Sequence, residues 1–132
     1  MRSTAILPMP SDLELQEMTE RVLLDFNGAV QMADFGSFYS KISVPWQKQT
    51  SAEELQASFQ GFIDKKINIS PISSWSAVFT PKPNIRVDTG YNTLILMGYY
   101  ETSPYRTKFR LHFIPDENQW RLSRIEVDTT PD

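Results

Sequence analysis

His112 is the chain's one histidine, so any proton relay built on imidazole would have to run through it. A serine–histidine–acid triad also needs a nucleophile held on a sharp turn, and no Gly-x-Ser-x-Gly elbow is present. One histidine with scattered acids is a poor ligand set for zinc. The chain has no cysteine, which removes thiolate metal sites, cysteine nucleophiles and disulfides together and leaves the compartment open. No glycine-rich phosphate loop occurs. Asn68-Ile69-Ser70 formally matches a glycosylation acceptor, but the proline after it disfavours that use. The sequence therefore calls for no catalytic constellation, no metal and no cofactor.

Two side-chain groups remain as candidate binding surfaces. Arg106, Lys108, Arg110 and His112 alternate along one strand and share its face, with Arg121 and Arg124 on the next strand. A positive stripe on a protein of net charge −3 suits an anionic partner or a membrane surface. It equally suits a solvated sheet face that discourages aggregation, and its parity places His112 at the surface or in an interface. The second group is aromatic: Tyr39, Trp46, Phe59, Trp75, Phe79, Phe109 and Phe113. These could line a cavity for a small apolar ligand, and the same residues would serve to fill a core. Trp46, just after a proline, is the natural reporter between the two.

The elements that would carry these residues change rhythm near the middle of the chain. Up to about Lys66 the apolar residues recur at helical spacing; from Trp75 they fall into short strands. Ser11-Asp12-Leu13-Glu14 is a capping-box pattern, followed by Leu15, Met18, Val22, Phe26, Ala29, Val30 and Ala33 on one helical face. Gly28 inside that helix suggests close packing against another element. Asp34 fits a second N-cap better than a general base, opening a short helix with Phe35, Phe38, Tyr39 and Ile42, which Val44-Pro45-Trp46 ends. Ser51 and Glu54 open a third helix carrying Leu55, Phe59, Phe62 and Ile63 and running to Lys66. Pro71 closes the helical half.

A first strand is expected at Trp75–Phe79, with Pro81 and Pro83 confining the next residues to an edge. Asp88-Thr89-Gly90 is a turn with glycine where positive φ is required. Strands are then expected at Tyr91–Glu101, Tyr105–Ile114 and Gln119–Val127. The second of these alternates Phe109, Leu111 and Phe113 against charged residues, one face to core and one to solvent. The first is apolar on both faces, so a loop, a helix or a second subunit must cover its outer side. Trp120 and Leu122 are out of phase with Ile125 and Val127, which predicts a bulge near Ser123-Arg124.

This order predicts an α+β fold: three N-terminal helices packed on a curved, mainly antiparallel sheet. The chain of 132 residues divides into an extended tether over 1–10, one domain over 11–129 and a short tail over 130–132. The pattern running through Phe26-Asn27-Gly28-Ala29, Ala33-Asp34-Phe35, Phe38-Tyr39, Leu96-Met97-Gly98-Tyr99-Tyr100, Phe109-Arg110-Leu111-His112-Phe113 and Gln119-Trp120-Arg121-Leu122 resembles the nuclear transport factor 2-like superfamily, the cystatin-like cone. The resemblance spans about Leu13 to Val127. It implies a cavity between helices and sheet, and dimerisation through the sheet.

Members of that superfamily include isomerases, dehydratases and many non-catalytic binding or assembly domains. The fold alone therefore does not choose among them. No Asp or Glu falls on a strand face assigned to the core, which favours a non-catalytic domain binding a small apolar ligand or a partner protein. The alternative is a small isomerase- or dehydratase-like enzyme working in the cone. The acidic balance argues against nucleic acid, and no apolar run is long enough for a transmembrane helix. The proline-bearing N-terminus lacks a hydrophobic signal region. It reads as the remnant of an export segment, favouring a bacterial exported or envelope-associated protein over a cytoplasmic one.

Overall fold

The structure, a computed structural model, describes residues 7–88 and 90–131. The fold is α+β, with helices first and a five-stranded antiparallel sheet second that does not close into a barrel. Helix α1 spans Asp12–Met32, α2 Gly36–Lys41, α3 Val44–Gln47, α4 Ala52–Ser58 and α5 Gln60–Asp64. A 3-10 turn at Ser70–Ser74 leads to strands β1 (Val78–Phe79), β2 (Asn84–Asp88), β3 (Tyr91–Tyr100), β4 (Thr107–Asp116) and β5 (Gln119–Asp128).

Helix α1 starts where its capping box predicts. The Glu14 N–H donates to Ser11 Oγ at 3.2 Å, and the Ser11 N–H donates to Glu14 Oε1 at 2.8 Å. The exchange ties the first turn down from both sides and satisfies donors that no helix carbonyl can reach. The buried stripe centres on Thr19, Leu23 and Phe26, so Met18 and Val22 lie at its margin rather than its middle. Gly28 does not mark a close approach: a Cβ placed there would meet nothing within 4 Å.

Asp34 differs in detail from the expected cap. Helix α2 begins at Gly36 with Phe35 at the N-cap position, and Asp34 Oδ1 accepts from the Gly36 N–H at 2.9 Å. Pro45 does more than end that helix, because Val44-Pro45-Trp46 opens the separate turn α3, capped by Ser43. Proline suits this position, since the first helical N–H groups lack intrahelical partners. The expected third helix is two helices broken at Phe59.

The break at Phe59 has a packing cause. Its ring stacks on Phe35 at 5.9 Å and meets Phe26 edge-on at 4.8 Å, while Phe62 also reaches Phe26 edge-on at 5.4 Å. Phe38 completes a cluster around Phe26, at 6.0 Å. Such edge and stacked pairs add about 0.5–1.5 kcal/mol each beyond area burial, and tertiary gain of that size overrides helix propensity.

Strands β1 and β2 lie one after the other along the same edge of β3. Pro81 and Pro83 fall between them, as an edge position allows. Trp75 belongs to neither: it comes after the 3-10 turn and is exposed. Strand β3 pairs with β4, and β4 with β5. The predicted bulge is present: His112 pairs with Arg124 and Phe113 with Leu122, so Ser123 is the extra residue. Glu117 and Asn118, both at positive φ, close the β4–β5 hairpin.

Gly90 has the positive φ expected of its turn, and Thr89 beside it lies outside the described residues. The inner sheet face, Leu94, Leu96, Phe109, Leu111, Phe113, Leu122 and Ile125, packs with the helices into one core. Among the described residues no helix is long and apolar enough to cross a membrane.

Candidate functional site

The seven aromatics do not converge on one cavity. Phe59 sits in the Phe26 cluster, Phe79 meets Phe109 edge-on at 6.0 Å, and Phe109 leans on Tyr100 at 5.7 Å. Tyr39 is half-buried and donates its hydroxyl to the Gln47 carbonyl at 2.8 Å. Trp46 reaches the other side of the sheet, beside His112 and Ile114. Trp75, about half exposed at 49%, lines nothing in the core. Phe113 alone of the seven lines a cleft between helices and sheet.

That cleft lies between α1, α2 and the β4–β5 hairpin and measures about 210 Å³. Met18 and Val22 come from the margin of the α1 stripe, Phe38 and Ile42 from α2 and its end, and Phe113 and Leu122 from the inner sheet face. The bulge at Ser123 returns Leu122 to the core side, opposite Phe113. Trp120 closes one end and donates its indole N–H to the Pro8 carbonyl at 3.3 Å, so the tether is tied beside the opening. Four charged residues, Arg21, Asp25, Lys41 and Arg121, also line it, and Arg121 stands opposite Ile114 of the outer face in the β4–β5 register. Asp25 lies 3.4 Å from Lys41, and Arg121 lies 2.9 Å from Glu117. Of these six apolar lining residues, sequence reasoning singled out only Phe113 as a site residue. Met18 and Val22 repeat at helical spacing with the core positions of α1, so the sequence carries no signal that sets them apart.

The basic stripe carries its own counter-charges. Arg106 pairs with Glu101 at 3.0 Å and lies 4.1 Å over the Tyr99 ring, and Lys108 lies 4.0 Å from Asp128. Arg124 pairs with Glu126, which stands opposite Arg110 across the β4–β5 register. The face thus sets the basic Lys108 and Arg110 of β4 beside the acidic Asp128 and Glu126 of β5, with the basic Arg124 next along β5.

His112 departs from its expected surface position. It is 4% exposed, and Thr93, Ile95 and Ile114 on the same outer face are buried with it. Sequence parity placed it on the charged face correctly, but could not show that this end is enclosed by the chain itself. The α3 turn and Tyr91 lie against it, around a recess of about 190 Å³. At this end the outer side of the two-sided strand β3 is covered by the chain's own α3 turn, the helix-or-loop alternative. Burial holds the imidazole below its ordinary pKa, with Arg110 and Arg124 lowering it further against the opposing pull of Asp88 and Glu126. The Arg110 Nε–H donates to His112 Nε2 at 3.1 Å, which fixes that nitrogen as an acceptor.

Two polar side chains hold the frame of the helical layer. Gln16 exchanges two hydrogen bonds with the Ala77 backbone, both at 2.8 Å. Asn27, buried in α1, accepts from the Ile69 N–H at 2.9 Å and donates to Asn68 Oδ1 at 3.0 Å. Asn68, the formal glycosylation acceptor, thus has its side chain engaged. Tyr100 is enclosed, and its hydroxyl meets no hydrogen-bond partner among the described residues. Burial, then the charge of Glu20, push that phenol well above its ordinary pKa. Among the described residues no group of three or more His, Asp or Glu is placed to hold a metal ion.

No protein-family model matches this chain, and no curated protein or solved structure matches it.

Proposed function

We propose that this chain is a non-catalytic binding domain of the nuclear transport factor 2-like kind, holding a small apolar ligand in the cleft between α1, α2 and the β4–β5 hairpin. The observation that carries the reading is the cleft itself: apolar side chains from three elements, Met18, Val22, Phe38, Ile42, Phe113 and Leu122, line one concavity. Ligand sites are commonly concave, mostly apolar and edged by a few polar groups. At about 210 Å³ the cleft is below the roughly 300–1,000 Å³ of drug-sized sites, so its ligand is small. Elsewhere the core between helices and sheet contains the five-ring cluster around Phe26.

Trp120 lines the cleft, so it reports on occupancy. In a variant carrying Trp46→Phe and Trp75→Phe, 1-hexanol should change the remaining indole emission saturably. Adding Val22→Phe, which fills the cleft from α1, should abolish the change. An emission that ignores the alcohol, or that responds equally with Val22→Phe, would contradict the reading.

The outer sheet face is the proposed self-association surface. Its basic column (Arg106 just before β4, with Lys108 and Arg110 on β4) and the acidic end of β5 (Glu126 and Asp128, beyond the basic Arg124) are of opposite sign. A two-fold axis between them would set each column over its complement in a second copy. Sedimentation at low salt should give the mass of a homodimer, shifting toward monomer as salt screens the columns.

A further inference from the structure

We infer that the recess over His112 on the outer sheet face is a second binding site, taking a small uncharged polyol of triol to monosaccharide size. It is separate from the helix–sheet cleft and does not depend on that cleft being occupied. The strand register sets its floor on one face: Asp88 pairs with Tyr91, His112 pairs with Ile95 and Arg124, and Thr93 shares their parity. Trp46 of α3 and Gln49 just after it line the same recess, which measures about 190 Å³. At roughly 30 Å³ for each molecule of liquid water, that is room for about six waters or for one molecule of this size.

The hydrogen-bonding groups around the recess set the chemistry of its ligand. Arg110 holds His112 Nε2 as an acceptor, so in the neutral ring the proton sits on Nδ1. The side chain is only 6% exposed, and Nδ1 makes no hydrogen bond among the described residues. Unlike the Tyr100 hydroxyl, Nδ1 is not sealed off by its surroundings, so a ligand atom in the recess reaches it. Asp88 Oδ2 lies 3.8 Å from Nδ1. One hydroxyl at ordinary bonding distance from both accepts from the imidazole and donates to the carboxylate. Thr93 and Ser123 spend their own protons on the Tyr91 and His112 carbonyls, at 3.1 and 3.2 Å, so their oxygens are left to accept. Gln49 brings an amide, which both donates and accepts. The charges on the wall are one of each sign, Arg124 and Asp88. A carboxylate therefore loses to Asp88 what it gains from Arg124, and an amine the reverse, whereas a set of hydroxyls uses donors and acceptors alike. Trp46 and Tyr91 add ring surface for the C–H side of such a molecule.

The test follows Trp46 emission in a full-length variant carrying Trp75→Phe and Trp120→Phe. The probes are glycerol, D-xylose and D-glucose, with acetate and ethylammonium as charged comparisons. A saturable change with at least one polyol, and none with either ion, is the expected result. The His112 ring resonances of the unaltered protein should move over the same range of that polyol. His112→Phe should weaken its binding about tenfold. Should His112→Phe not fold, Asp88→Ala, at a half-exposed position, should weaken it about fivefold. A response to either ion as strong as that to the polyols would overturn the ligand class. No response to any polyol would show that the recess takes only water and would overturn the site, as would a polyol response left unchanged by these substitutions. The Trp120 experiment with 1-hexanol reads the helix–sheet cleft separately, so failure here leaves that reading intact.

Discussion

Arg110 and His112, two residues apart on β4, form a hydrogen bond in which the guanidinium is the donor and the imidazole the acceptor, at 3.1 Å. Only a neutral imidazole can accept there, and the charged groups facing it are Asp88 on β2, Arg124 opposite it on β5, and Glu126 further along β5. Asp88 Oδ2 stands 3.8 Å from Nδ1, too far to hold a second hydrogen bond that would favour the protonated form.

This sets the sign of a pH dependence. The folded-state pKa of His112 lies below its ordinary value of about 6.5, so between the two values the unfolded chain binds more protons. Stability from this group is complete above about pH 6.5 and is lost as pH falls through the folded pKa. His112→Leu should flatten the difference in urea unfolding free energy between pH 8 and pH 5. Because it is the only histidine, its ring resonances report the pKa without ambiguity, and a value above 6.5 would contradict the assignment.

The glycines Gly28 and Gly98 should respond in opposite directions to alanine. Gly28 is inside α1 with open space where a Cβ would stand, so Gly28→Ala should stabilise by about 1 kcal/mol. At Gly98 a Cβ would come within 1.8 Å of the Val78 carbonyl oxygen, part of the backbone of β1. Gly98→Ala should cost about 3 kcal/mol or more, or displace β1. Thermal unfolding of the two variants measures both.

Tyr100 carries a buried hydroxyl with no partner among the described residues. Tyr100→Phe removes only that oxygen, so stability should be unchanged or rise by about 1 kcal/mol. In alkaline titration monitored by ultraviolet absorbance, one of the five tyrosines should fail to ionise until the protein unfolds. A loss of stability in Tyr100→Phe would reveal an acceptor for that hydroxyl.

The elements set by local chemistry were legible in the sequence. The Ser11–Glu14 box, the Gly90 turn and the bulge at Ser123 each depend on residues close together along the chain or on simple parity, and each is present. What escaped depends on contacts distant in sequence. Phe59 breaks a well-patterned helix because Phe35 and Phe26 are placed to receive its ring. His112 is enclosed because Ser43–Trp46 folds against it, which strand parity cannot foresee. Trp75 looked like a strand start and is exposed after a 3-10 turn, since Pro71 and the serines around it favour that turn. Of the seven aromatics, only Phe113 reaches the cleft. The cleft residues Met18, Val22, Ile42 and Leu122 read as ordinary core positions, and only the gap between helices and hairpin distinguishes them.

The α1–α2–hairpin cleft is proposed to bind a small apolar ligand. The most direct measurement is the indole emission of Trp120, with Trp46 and Trp75 replaced by phenylalanine, titrated with 1-hexanol. A saturable change that disappears when Val22→Phe fills the cleft is the predicted result. No saturable change, or an equal one in the filled variant, would contradict it.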